Sequence, residues 1–194
     1  MIKSIGGKKL DTAVFISGNG SNLKNLIKFS LGKKSPINIK LVLSNNKKAK
    51  GLNFSKKYKI ESKIFLFSNR SKSENQILKY LKSRKIKLIC LAGFMKILSK
   101  KFIKRFQGKI LNIHPALLPK YKGLNTHERV IFNNEKYSGC TVHIVNSKLD
   151  AGKIILQQRV KINKRDTAKT LRKKILKKEH ILYPKAIKKF ISNL

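Results

Sequence analysis

Asn112-Ile113-His114-Pro115 places a donor amide and a titratable imidazole two residues apart. If the run ending there is a strand, its two-residue periodicity puts Asn112 and His114 on one face and Ile113 on the other. Pro115 favours an extended His114 and ends the strand. The pair would then stand at a strand's carboxyl end, where open α/β sheets bind ligands. An amide and an imidazole in that place suit the stabilisation of an oxyanion or the movement of a proton. A hydrogen-bonded structural histidine beside a turn fits the same residues. Leu149-Asp-Ala-Gly152 supplies one of only eight side-chain carboxylates in the chain. Asp150 reads either as a turn residue or as a carboxylate facing His114, whose charge would raise the imidazole pKa and favour the cationic acid.

Gly18-Asn-Gly-Ser-Asn22 lies between an apolar run and an amphipathic one. Glycines allow close backbone approach, and the free N–H groups of a helix start attract anions. A glycine-rich turn capped by Ser21 is the plainer reading. No Gly-Lys-Ser/Thr follows, so this is not a Walker loop. Ser44-Asn-Asn46 stands where a dinucleotide fold would carry its ribose-binding acid, so a monophosphate fits better. His127, His143 and His180 match no zinc spacing, and no Gly-x-Ser-x-Gly elbow occurs; neither a metal nor a serine nucleophile is expected.

The elements that must carry these residues alternate between β-branched runs and helical patterns, the sign of a parallel sheet with crossover helices. Strands are predicted at Thr12–Ser17, Ile39–Leu43, Lys63–Phe67, Lys87–Ala92 and Lys109–His114. Between them fall helices carrying Leu23, Leu26 and Ile27, then Lys48–Lys57, Glu74–Arg84 after Ser73, and a short helix from a Ser99 cap to Phe106. After a helix at Thr126–Asn133 the pattern changes. Gly139–Val145 and Lys153–Lys161 are joined by a short connection and predict an antiparallel addition to the sheet. Asp166 is the expected cap of a long basic helix reaching about Ser192 and kinked near Pro184.

A length of 194 residues suits one domain, read as 1–194 with residues 1–11 as a loosely ordered extension. The two cysteines, Cys90 and Cys140, sit in apolar runs and read as buried free thiols in a reducing compartment. No secretory signal and no membrane-length apolar run is present, so a cytoplasmic protein is expected. Against 8 acidic residues stand 47 basic ones, a formal net charge of +39. Lysines make up 40 of the 47 and are spread over every segment, without the arginine and aromatic clustering of nucleic-acid grooves. Coding bias is the favoured source, no specific nucleic-acid partner is expected, and the charge would still draw in phosphorylated substrates.

Six blocks carry a resemblance. Val14-Phe-Ile-Ser-Gly-Asn-Gly-Ser-Asn22, Leu91-Ala-Gly-Phe-Met-Lys-Ile-Leu-Ser99 and Leu111-Asn-Ile-His-Pro-Ala-Leu-Leu-Pro-Lys-Tyr121 resemble the phosphoribosylglycinamide formyltransferase family. So do Gly139-Cys-Thr-Val-His143, Leu149-Asp-Ala-Gly-Lys-Ile-Ile-Leu-Gln157 and Glu179-His-Ile-Leu-Tyr-Pro184. The resemblance implies a Rossmann-like formyltransferase fold, mostly parallel with a C-terminal antiparallel addition and a long final helix. It implies transfer of a formyl group from 10-formyltetrahydrofolate to glycinamide ribonucleotide in purine synthesis. By the same resemblance Asn112, His114 and Asp150 are catalytic, and Gly20, Ser21, Asn22 and Glu179 bind the ribonucleotide. Arg70 and the backbone of Met95, Lys96, Ile97 and Leu98, with Asn112, hold the folate. Ala116, Asn125, Ala151 and Leu176 depart from the usual pattern. Related alternatives are a formyltetrahydrofolate hydrolase, a methionyl-tRNA formyltransferase-like enzyme, and a basic nucleic-acid-binding module without catalysis. A homodimer is left open.

Overall fold

The computed structural model describes residues 9–194, so most of the expected N-terminal extension lies outside the described residues. Leu10 and Asp11, assigned to that extension, are instead the first residues of β1 (Leu10–Ile16). The chain continues through α1 (Ser21–Leu31), β2 (Ile37–Ser44), α2 (Leu52–Lys57), β3 (Glu61–Ile64), α3 (Arg70–Ser83) and β4 (Leu88–Leu91). It is completed by α4 (Lys100–Arg105), β5 (Lys109–His114), α5 (Thr126–Phe132), β6 (Tyr137–Ile144), β7 (Ile154–Lys161) and α6 (Ala168–Ser192). The strands form one sheet in the order β3-β2-β1-β4-β5-β6-β7. β3 to β5 are mutually parallel, whereas β6 and β7 each run antiparallel to their neighbour. Strand order reverses between β1 and β4, which opens the crevice at which such sheets bind ligands.

Both sheet faces are covered, which explains why the central strands read as continuous apolar runs. Val14 and Ile16 of β1 pack with Leu23, Leu26 and Ile27 of α1 and with Leu171, Ile175 and Ile187 of α6. Ala13 and Phe15 point the other way, towards Ile77 and Leu81 of α3 and Phe102 of α4. Cys90 and Cys140 are free and buried, and burial pushes both thiols up to about 12.

The starts of α3 and α6 differ from the sequence reading, each for a local reason. α3 starts at Arg70 because the Asn69 side chain accepts from the Lys72 N–H; Ser73 is buried inside the helix. α6 is capped by Thr167, not Asp166. Thr167 and Thr170 exchange side-chain and backbone hydrogen bonds in a capping box, while Asp166 bonds Thr170 and Lys174. α6 continues past Pro184, the residue near which a kink was expected, and ends at Ser192 as read from the sequence. Proline lacks an N–H and orphans the carbonyl four residues earlier. That carbonyl belongs to His180, and the Asn25 amide of α1 donates to it at 2.6 Å. A side chain from the neighbouring helix thus completes the ladder and ties α1 to α6.

Deleting that donor with Asn25→Ala is expected to cost about 1–2 kcal/mol of unfolding free energy in urea titrations. In a Pro184→Ala background, where residue 184 regains its own N–H, the same deletion should cost much less. An equal cost in both backgrounds would show that the amide does not serve the proline.

Candidate active site

The β5 strand ends at His114 with the predicted alternation. Ile113 enters the core shared with α1 and α6, while Asn112 and His114 look to the opposite face. β6 pairs antiparallel, with Asn112 opposite His143 and His114 opposite Thr141. Two further polar side chains are thereby laid beside the pair. A register shift between Val142 and His143 distorts the ladder there, as bulges often do beside functional sites.

Asp150 arrives from the loop between β6 and β7. Its backbone is left-handed, with φ 46°, a conformation that aspartate tolerates better than most residues. Gly152 follows so closely against β6 that an added Cβ would lie 1.6 Å from the Ile144 carbonyl oxygen. The Asp-Ala-Gly spacing therefore has a steric cause, and it turns the carboxylate inward. Asp150 is buried; its Oδ2 accepts from the Gly123 N–H at 2.9 Å and faces His114 Nδ1 at 3.4 Å. Oδ1 faces His143 Nε2 at 3.5 Å. Burial acts to raise this carboxyl's pKa. The close approach of His143 and the hydrogen bond from Gly123, with the electrostatic pull of the two imidazoles, outweigh burial and hold it below the usual value.

His114 Nε2 lies 2.8 Å from the Tyr121 carbonyl, which assigns that nitrogen the proton and leaves Nδ1 bare towards Asp150. The expectation of a cationic His114 is corrected here. Burial is the largest influence and lowers the imidazole pKa, and the pull of Tyr121 and Asp150 in the other direction does not overcome it. Burial therefore favours the neutral ring. His143 Nδ1 is 3.1 Å from the Ile144 carbonyl and its Nε2 is 3.2 Å from Asn112 Nδ2. One amide hydrogen of Asn112 is engaged in that contact and the other is available to a ligand.

The second predicted group also assembles. Gly20 (φ 71°) precedes α1 and has no room for a side chain, because a Cβ would meet Gly51 Cα at 2.5 Å. No cap side chain closes the helix start, contrary to the reading of Ser21 as its cap. The Asn22 amide donates at 2.7 Å to Glu179 Oε2, joining residues 157 positions apart. Glu179 is buried on α6, and desolvation pushes its carboxyl up to about 7 against the opposing Asn22 and Arg172.

Arg70 and the Met95–Leu98 segment border the same end of the sheet. The segment leaves β4 just after Leu91, whose register partner is Asn112. The Met95 N–H donates to Ser17 Oγ at 2.7 Å, and the Met95 and Ile97 side chains are exposed while Leu98 is in the core. Lys96 is exposed, and Arg70 pairs with Glu74 at 3.2 Å. Among the described residues no group of three or more His, Cys, Asp or Glu is arranged to hold a metal ion, and no helix is long and apolar enough to cross a membrane.

The sequence reading passed over His143, Gly123 and Tyr121. His143 had a signal, since Thr141 and His143 alternate in a strand run; the antiparallel register that sets them opposite His114 and Asn112 is not written locally. Gly123 and Tyr121 contribute only backbone groups, which carry no residue-type signal.

A family model described as formyl transferase matches residues 10–187. The chain is 44% identical over 181 residues to phosphoribosylglycinamide formyltransferase of Haemophilus influenzae, covering 92% of this chain and 85% of that protein. It is 41% identical over 187 residues to the bovine trifunctional purine biosynthetic protein adenosine-3, covering 95% of this chain but spanning only 18% of that much longer protein. Among solved structures, the phosphoribosylglycinamide formyltransferase of Brucella melitensis superposes with a TM-score of 0.90 at 40% identity, covering 96% of this chain and 98% of that one. Asn112, His114 and Asp150 lie together inside the matched span, on the same fold as these relatives: the chain belongs to the formyl transferase family.

Proposed function

We propose that this chain moves the formyl group of 10-formyltetrahydrofolate onto the amine of glycinamide ribonucleotide, the activity for which its relatives are named. The observation that carries this reading is the cluster of buried His114 and Asp150 with half-buried Asn112 at the carboxyl end of β5. The loops after β1 and β4 supply a helix start without a side-chain cap, near Asn22 and Glu179, and the Met95–Leu98 segment. A phosphate suits the first, because helix-terminal N–H groups and the dipole both favour an anion. A formyl folate suits the second, with its acidic end towards Arg70.

In this reading the amine attacks the formyl carbon directly and a C–N bond forms while the carbonyl electrons move to oxygen. The free Asn112 N–H stabilises that oxygen; losing such a donor typically costs about 10²–10³ in rate. The attacking nitrogen must then release a proton. The bare His114 Nδ1 faces a carboxylate, an arrangement that repels until a proton sits between them. A proton arriving there forms an imidazolium with Asp150 as counter-ion, and it is next given to the folate nitrogen as the old C–N bond breaks. Holding both substrates in register supplies the rest of the acceleration.

Purified protein mixed with the ribonucleotide and 10-formyltetrahydrofolate should release deformylated folate only when the ribonucleotide is present. His114→Ala should abolish release, and Asp150→Asn should do so while leaving both substrates bound. Release without the ribonucleotide would indicate a hydrolase, and near-normal turnover in Asp150→Asn would remove that residue from the mechanism.

Glu179 generates a pH prediction. Its folded value, about 7, exceeds the ordinary 4.5, so its contribution to stability is complete below 4.5 and fades as pH rises through about 7. Glu179→Gln should remove that component, making the variant's urea midpoint less sensitive to pH over this window than the wild type's. Identical pH profiles would place the carboxyl in water.

A further inference from the structure

Glu74 sits one turn beyond Arg70 on α3, with its side chain buried. A carboxylate withdrawn from water needs donors, and this one has three. Arg70 Nε lies 3.2 Å from Oε1, and the Ser99 backbone N–H donates to the same oxygen at 2.7 Å. The Ser99 hydroxyl donates to Oε2, while its oxygen accepts from the Phe102 N–H at 3.0 Å and caps α4. One buried carboxylate therefore grips both a guanidinium on α3 and the last residue of the segment that follows β4.

Both grips bear on groups that face outward. Arg70 is 49% exposed, and among the described residues its terminal nitrogens make no hydrogen bond. A guanidinium tethered through Nε presents its outer edge in a fixed plane, the geometry that receives a carboxylate in two parallel bonds. The Met95–Leu98 segment is pinned at its start by Ser17, through the Met95 N–H, and at its end by Glu74, through Ser99.

We infer that Glu74 is a positioning residue for the formyl donor: it sets the Arg70 guanidinium and the Met95–Leu98 backbone relative to each other, and so sets folate affinity without touching the folate. This rests on the folate role proposed above for those residues. Glu74→Gln keeps the shape, removes the charge and turns one acceptor oxygen into a donor. Calorimetric titration of the intact protein with a formyl dideazafolate should show Kd rising about tenfold, as expected for a lost charge-assisted bond. The KM for the ribonucleotide should stay within about twofold. Ser99→Ala removes one donor and leaves Glu74 in place; it should give the same split at smaller amplitude, and it serves if Glu74→Gln does not fold. Arg70→Ala is measured alongside. If Arg70→Ala weakens the folate analogue while Glu74→Gln and Ser99→Ala do not, the positioning role is wrong and the folate site stands. If Arg70→Ala has no effect, the folate site itself is misplaced and the inference falls with it. Equal weakening of both substrates by the Glu74 and Ser99 variants, with a lowered melting temperature, would reduce the contact to a structural one.

Discussion

A carboxylate buried against a strand end holds its charge only if donors reach it, and those donors then determine what surrounds it. Asp150 takes the Gly123 N–H from the loop after β5 and faces His114 and His143 from two adjacent strands. Its left-handed backbone and the steric demand of Gly152 fix where that carboxylate stands. Because the His114 ring is buried, its charged form is disfavoured, and Asp150 pulls in the opposite direction.

The sheet topology decides what else can reach this cluster. The loops after β1, β4 and β5 leave three neighbouring strands at the point where strand order reverses. One carries the uncapped start of α1, one the Met95–Leu98 segment, and one follows Asn112 and His114. The surrounding field is cationic, since five of the eight carboxylates are already paired with lysine or arginine, and Asp150 and Glu179 are buried. Only Glu128 remains as an exposed carboxylate outside these pairs. Such a surface speeds the encounter with anionic substrates whatever the origin of its lysines.

Much of this was legible in the sequence because it is periodic or local. The apolar runs of β1 and β4 announced strands covered on both faces, and the Asn112/His114 spacing announced one face of β5. The switch to antiparallel pairing after residue 139 was visible in two strand runs too close together for a crossover. What escaped depends on partners far along the chain. Asn25 rescues the carbonyl orphaned by Pro184, a residue pair that no window contains. His143 owes its place to cross-strand register, and Glu74 to a serine 25 residues away. The charge state of His114 escaped for another reason: a neighbouring carboxylate was foreseen, but the extent of burial that opposes it belongs to the folded structure.

The central claim is that Asp150 holds the charge of an otherwise disfavoured His114 imidazolium. Its most direct test is an NMR titration of the histidine ring nitrogens in the wild type and in Asp150→Asn. The wild-type His114 should titrate below the ordinary histidine value, and the variant's lower still, since the raising pull of Asp150 is then gone while burial, His143 and Arg129 continue to lower it. An unchanged or raised His114 pKa in the variant would contradict the account and leave Asp150 without a role in the proton's path.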